Sequence, residues 1–411
     1  ADEYDILLFG ATGFTGKLAV EWLMERSLPY KWGVCVRDEA RGKAAVRAIA
    51  ERMGCVAPAV EVAELVCKTP EQESHLRSVV RKAKVVLTAA GPFERYGQTL
   101  LKLCAEEGVH YADTTGETDF VRKMIAEHDA TARKTGARIV PHCGNDCIPW
   151  DSMVFEMSKL ARERGAALTE AFTYTEVPPS ASMSGGTLAT AMFQLGKNRK
   201  GAARPEFDPL LKLADGSKSA NATKVASPKK DVRAEEFKRD AGPWIMGPVM
   251  ANCVRRSNAL LGYNAALTYS EAMLRNTSFF DTLRDTAYQA LVAGAIYMPA
   301  LFKHFLPGPG QGPPRETLDE GYLVVHGRGK MKDSASGAET PLTGTFRFEQ
   351  DTGYLCTARM LVESGVLLRE LADAGGGSGV GVVTPAVAFG SSIKDRCVEK
   401  IGATFNLEAD K

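Results

Sequence analysis

The sequence predicts an α/β protein: a Rossmann-type, doubly wound parallel sheet with a second α+β domain. Three observations predict it. The first 150 residues alternate short apolar runs with helical segments, the pattern of a parallel sheet covered on both faces. A glycine-rich turn, Gly10-Ala11-Thr12-Gly13-Phe14-Thr15-Gly16, joins the first apolar run to the first helix. Beyond Asp151 the pattern changes, and runs of period two appear near residues 322–349.

Taken in order, Ile6–Phe9 is a short apolar strand and the helix after it ends near Arg26. Trp32–Val36 is a second strand, and Glu39–Met53 a helix rich in Ala and Arg. A third strand lies within Val60–Cys67, its register open. Val85–Ala89 is the most strand-like run in the chain. The helix Gln98–Glu107 leads to a fifth strand carrying Tyr111, and Arg138–His142 is the sixth. Six strands with intervening helices make a complete dinucleotide-binding unit, expected over residues 1–150. A substrate and dimerisation domain is expected over 151–374. It holds a strand at Ala171–Val177, a helix at Thr187–Leu195, a hairpin of Tyr322–Gly329 with Thr343–Glu349, and an amphipathic helix at Tyr354–Leu371. The polar, Lys-rich stretch Gly196–Asp240 reads as a solvated insertion. Gly375–Gly381 is a glycine-rich connector to a final helix, Pro385–Ile401, so residues 375–411 are expected to form a C-terminal helix.

Bulk properties narrow the class. With 411 residues the chain can bury a large core in two domains. A formal net charge of +1 gives no general electrostatic reason for a nucleic-acid partner. Nine cysteines stand without a paired framework or a CxxC, and Cys143 and Cys147 lack the companions of a zinc site, so no metal is expected. Reduced thiols point to an intracellular compartment, with a mitochondrial location left open. No signal or transit segment precedes the first strand, though a processed presequence would leave no trace. The uncharged run Thr286–Phe302 is 17 residues long and interrupted by Pro299. It is too short to span a bilayer and reads either as a buried helix or as a shallow membrane anchor.

The glycine turn carries the strongest chemical signal. Side chains there would keep a pyrophosphate from the backbone N–H groups that open the helix. Gly10 permits the tight turn, Gly13 the phosphate approach and Gly16 close helix–strand packing. The remaining four residues, Ala11, Thr12, Phe14 and Thr15, complete the cradle. The spacing is GxxGxxG, a variant common among NADP-dependent reductases. The second strand ends Val36-Arg37-Asp38. Arg37 falls where a 2′-phosphate needs a clamp, which favours NADP(H); Asp38 keeps NAD open, and FAD shares the fold logic. At the end of the fourth strand, Ala90, Gly91 and Pro92 give the small, rigid turn past which a cofactor runs. The fifth and sixth strands deliver polar clusters to the same edge, from which Tyr111, Asp113, Glu117 and Asp146 are the candidates for proton transfer or substrate orientation. No Tyr-xxx-Lys pair, HExxH, GxSxG or P-loop occurs.

The segments GATGFTG (10–16), AAGPFERYG (89–97), HYADTTGE (110–117) and CGNDCIP (143–149) resemble the saccharopine dehydrogenase-like oxidoreductases. So do SGGTLAT (184–190), VRRSNALLGY (254–263), PGPGQGP (307–313) and TPAVAFG (384–390), so the resemblance runs from about Asp5 to about Arg396. It implies a nicotinamide cofactor, by likeness to saccharopine reductases and to bacterial trans-acting enoyl reductases. It also implies a C-terminal segment packed back on the first domain, and relatives on membranes and lipid droplets. The chain departs from the family at Cys35-Val36-Arg37, where Ala-Gly-Arg is more usual, and at Asn145-Asp146-Cys147, where Phe-Asp-Ser is more usual. The expected activity is hydride transfer from NADPH to a C=C or C=N bond of a small or lipid-like substrate. The alternative is a non-catalytic protein of the same fold at a membrane or lipid-droplet surface, through 286–302, or in a complex. A homodimer is left open.

Overall fold

The computed structural model describes residues 3–178, 184–195, 206–276, 307–308, 310–374 and 379–410, with 283, 287 and 294 singly. The first unit is built from β1 (Tyr4–Phe9), α1 (Phe14–Arg26), β2 (Trp32–Val36), α2 (Glu39–Met53), β3 (Ala59–Val62), α3 (Pro70–Val80), β4 (Ala83–Thr88), α4 (Phe93–Tyr96), α5 (Gln98–Glu107), β5 (His110–Asp113), α6 (Thr118–Thr135) and β6 (Arg138–Val140). The second contains α7 (Ile148–Glu163), β7 (Ala166–Glu176), α8 (Gly185–Leu195), β8 (Lys224–Val225), β9 (Val232–Ala234), β10 (Arg239–Gly242), α9 (Gly247–Leu261), β11 (Thr268–Leu274), α10 (Arg315–Asp319), β12 (Leu323–Asp333), β13 (Glu339–Phe348) and α11 (Leu355–Ala374). The chain closes with β14 (Gly381–Val382), α12 (Pro385–Phe389), α13 (Ser391–Arg396) and β15 (Thr404–Ala409).

The first sheet is a seven-stranded parallel sheet, ordered β14-β6-β5-β4-β1-β2-β3. Its inner strands are apolar on both faces because helices cover both. Phe9 stands level with Cys35 and Thr88, and Thr88 with Asp113, so the strands end along one line. The loops after β1, β4 and β5 therefore open at one edge, which is what positions a site. The second sheet is mixed, ordered β15-β13-β12-β7-β11-β10-β9, with β8 added beside β11. β7 alternates buried and more exposed residues because α7 covers one of its faces, while α9 packs on the neighbouring β11.

Several elements differ from expectation. α11 is buried all round from Leu355 to Arg369, rather than along one stripe. It lies against α1, β4 and β5, and Gly365 gives room to Leu87 on β4. α11 thus packs on a face of the first sheet, and residues 381–382 add a strand to its edge. At the centre of α11, Glu363 is fully buried and accepts from Trp22 Nε1 (3.0 Å), Arg26 (2.6 Å) and Arg396 (3.3 Å). A single apolar cluster runs from Trp22 through Leu361 and Trp150 to Phe346, joining both units.

The final helix is not one helix. Gly390, at φ 56° and ψ −134°, breaks it into α12 and α13; a π-helical turn follows, and residues 404–409 form a strand on β13. Part of the glycine connector is β14, which joins β6 as a seventh strand and is held by Asp129 accepting from Val382 N (2.8 Å). The polar stretch is likewise structured from residue 206 onward, with 196–205 outside the described residues. Asp208 pairs with Arg122 and Arg255, and β9 and β10 extend the second sheet. The buried Arg256 donates to the carbonyls of Leu210, Lys212 and Val382. The run 286–302 also lies outside the described residues, apart from single positions. Among the described residues no helix is long and apolar enough to cross a membrane.

Candidate active site

The turn after β1 is a cradle made by missing side chains. Gly10 has φ +85°, and Gly13 N donates to Gly10 O at 2.9 Å. A Cβ on Gly16 would overlap Gly10 O, while one on Gly13 would meet that same oxygen at a tight 3.2 Å. Packing thus excludes a side chain at Gly16, whereas one at Gly13 would need only a small adjustment. Gly13 caps α1 without any side-chain bond, whereas Asp38 caps α2 from its own side chain and Thr69 caps α3. The leading amides of α1 therefore have no capping side chain at the N-cap, which is the condition a pyrophosphate requires.

At the end of β2, Asp38 is committed to the N–H of Arg41 (3.0 Å). Arg37 is exposed and has no ion-pair partner among the described residues; Lys43 is paired with Glu39 at 2.6 Å. Arg41, also exposed, likewise has no ion-pair partner among the described residues. At the end of β4, Ala90 N lies 2.9 Å from where a Gly10 Cβ would stand, and the Gly91–Pro92 peptide is cis.

The polar residues after β5 divide into two kinds. Tyr111 and Asp113 are fully buried, with Tyr111 Oη donating to Asp113 at 2.7 Å. Asp113 also accepts from the N–H groups of Thr115 (2.9 Å) and His142 (3.2 Å). Burial pushes its carboxyl up to about 6, against those bonds. This pair braces the β5 and β6 loops against each other. Glu117 is also buried, and its two oxygens accept from the N–H groups of Phe93 (2.6 Å) and Glu94 (2.9 Å). It acts on the α4 N-terminus. Asp146 is half-buried beside Gly116, with Asn145 donating to it at 3.3 Å, and burial raises its pKa. Of the four candidates, only Asp146 is not buried in the fold.

The structure adds neighbours that the spacing did not single out. His142 adopts φ 66°, and its Nδ1 lies 2.6 Å from Thr115 O. Burial opposes its charge, but Cys147, Asp113 and the Thr115 carbonyl outweigh it and hold the imidazole up to about 9. From the second unit, Thr190 lies against Gly91, Asn145 N donates to Thr357 Oγ1 (2.9 Å), and Met246 packs against Gly116. Gly310 and Gly312 cross the cradle itself, against Thr12 O and the Phe14 ring, and Lys17 Nζ donates to Gly310 O at 3.4 Å. Phe14 stacks edge-on against Tyr354 at 5.3 Å, and Tyr354 Oη meets Ser184 N and Thr187. SGGTLAT and PGPGQGP were legible as motifs, but nothing local says that they return to residues 10–16. Among the described residues no cluster of metal-ligating side chains occurs.

Residues 6–140 match the family model of the saccharopine dehydrogenase NADP binding domain. A trans-acting enoyl reductase of Mycobacterium tuberculosis is 31% identical over 416 residues, covering 96% of this chain and 95% of its own. The same enzyme of Mycobacterium ulcerans is 32% identical over 421 residues, with equal coverage. Among solved structures, apo saccharopine dehydrogenase (L-Glu forming) of Saccharomyces cerevisiae aligns over 99% of this chain and 100% of its own. The TM-score is 0.55 and the identity 14%, a likeness of fold.

Proposed function

We infer that this chain, which belongs to the saccharopine dehydrogenase-like oxidoreductases, is an NADPH-dependent reductase of carbon–carbon double bonds in acyl substrates. That it is an oxidoreductase using NADP(H) follows from its family. The observation that carries the cofactor assignment is the α1 N-terminus, without a capping side chain, near Arg37, which has no ion-pair partner among the described residues. When bound, NADPH supplies the hydride. The chain's own residues hold the pyrophosphate at the α1 amides and the 2′-phosphate at Arg37, while Ala90–Pro92, Thr190 and Met246 wall the reacting end. The choice of a C=C bond over a C=N bond rests on the relatives named enoyl reductases, which match this chain end to end. A non-catalytic role would leave no reason to keep a phosphate cradle that a single Cβ would fill.

Fluorescence titration of the purified protein with NADPH and NADH tests the first half. NADPH should bind tighter, and Arg37→Ala should abolish that difference by weakening NADPH about tenfold to a hundredfold, the worth of a charge-assisted contact. Oxidation of NADPH in the presence of an α,β-unsaturated acyl thioester, and not of a cyclic imine, tests the second. Equal binding of both nucleotides, or turnover of the imine alone, would reject the reading.

A further inference from the structure

Lys17 is the fourth residue of α1, and its backbone N–H donates to Gly13 O at 3.0 Å. A helical lysine often pairs with an acid one turn away. Glu21 is the acid at that spacing, but its carboxylate is taken by Arg52 and by Arg315 (3.2 Å). Lys17 itself has no ion-pair partner among the described residues. Helical side chains lean toward the N-terminus, and this one runs back to the level of the glycine turn. The point where a Cβ on Gly310 would stand lies 3.7 Å from Lys17 Nζ and 3.0 Å from Thr12 O, so the ammonium and the turn share one neighbour. The bond from Nζ to Gly310 O, at 3.4 Å, is a long one.

The segment that carries Gly310 is anchored on both sides of it. Gln311 O accepts from Gly185 N at the start of α8 (3.1 Å), and Gln311 Oε1 accepts from Gly308 N (2.8 Å). Beyond it, Arg315 at the start of α10 reaches Glu21, and Gly312 passes so close to Phe14 that a Cβ would stand 2.6 Å from the ring. The second unit thus lays a strap of backbone along the face of α1 that carries Phe14, Lys17 and Glu21. A cleft of about 470 Å³ remains between strap and helix, lined by Phe14, Lys17, Leu18 and Glu21 and by residues 310–312. Glu21 is balanced there by its two arginines, and the charge of Lys17 is left over.

The diphosphate of a dinucleotide brings two negative charges to the turn. The N-terminus of α1 offers its N–H groups and about half an elementary charge. Arg37 stands at the end of a different strand, placed for the ribose phosphate. A further cation is needed, and an ammonium meets a phosphate as a compact point charge. We propose that Lys17 is a ligand of the cofactor's diphosphate, held in position by the strap of the second unit. The proposal rests on the reading of the chain as an NADPH-dependent reductase, of which it needs only the cofactor half. An ammonium has three protons to donate, so Lys17 keeps Gly310 O while it takes a phosphate oxygen. One side chain then ties the nucleotide to the second unit.

The diphosphate is common to NADPH and NADH, whereas the 2′-phosphate is not. Lys17→Met keeps an apolar stem and removes the charge. It should weaken both nucleotides by the same factor, about tenfold or more, in fluorescence titration, whereas Arg37→Ala acts on NADPH alone. Lys17→Arg should retain most of the affinity. Inorganic pyrophosphate should displace NADPH with an inhibition constant that rises in Lys17→Met. That of adenosine 2′-monophosphate, which has no diphosphate, should stay the same. The nucleotide-free variant should melt with the wild type. Lys17→Met that binds both nucleotides within about twofold of wild type, or that loses affinity for NADPH alone, overturns the proposal. A lowered melting temperature with an unchanged pyrophosphate constant makes Lys17 a packing residue and overturns it too. Wild-type protein that binds neither nucleotide overturns the cofactor reading and the role of Lys17 with it.

Discussion

At the scale of single residues, the two glycines of the cradle should answer differently to substitution. Gly16→Ala drives a methyl into Gly10 O, and nothing flexible can give way there. It should cost about 1–3 kcal/mol or more in urea unfolding, as overpacking against backbone does. Gly13→Asp needs only a small adjustment, so the fold should survive with an unshifted melting temperature while NADPH binding is lost through charge repulsion. A common fate for both variants would mean that Gly13, too, is a packing residue. The tight turn at residues 10–16 and the exposed Arg37 after β2 were legible in the sequence because a turn and the residue ending a strand are decided locally. The direction of an acidic side chain is not local. Glu117 sits in a polar cluster at the right edge, yet it faces two amides of α4, 23 and 24 residues earlier. Only the folded neighbour reveals that. Glu117→Ala should therefore lower stability by about 1–3 kcal/mol, the cost of orphaning buried donors, rather than act on chemistry alone.

At the scale of elements, the strands and helices named in the first 150 residues were read close to their bounds, whereas α7, α9 and β11 were not read at all, and other errors fell where tertiary partners override local pattern. β14 has two paired residues, too few to show a period; it exists because β6 and the Asp129 carboxylate wait for it. The helix over 385–401 was overextended because Gly390 looks tolerable in a helical pattern, whereas its φ of 56° is not helical. The stretch from 206 to 240 looked solvated because of its lysines, but its Leu210 and Lys212 carbonyls are held by Arg256, whose single guanidinium also reaches β14. Replacing Arg256 with Met should cost about 3 kcal/mol in urea unfolding and loosen residues 209–212 and 382 together in amide exchange. Exchange that rises at only one of these places would show that the arginine does not tie them.

For the molecule as a whole, the shared core predicts one cooperative unfolding transition, seen alike by calorimetry and by tryptophan fluorescence. Acid should weaken it through Glu176. The hydrogen bond with His326 (3.1 Å), joined by Arg239 (2.7 Å), outweighs partial burial and holds that carboxyl at about 2. A lowered folded pKa contributes stability above the unfolded value near 4.5 that is lost as pH falls through about 2. Glu176→Gln should flatten that slope in urea midpoints measured across the range. Asp113 works in the opposite sense: its raised folded value favours stability at low pH, and that contribution is lost as pH rises from its ordinary 3.8 through about 6. The tail that supplies both β14 and β15 has one more consequence, for biosynthesis. A ribosome releases residues 381–409 after every other described part of the chain, and each sheet takes an edge strand from them. Neither unit is complete until residues 381–409 have emerged, so the two sheets gain their edge strands from one stretch, and a product stopped before residue 381 leaves two frayed edges instead of one finished domain.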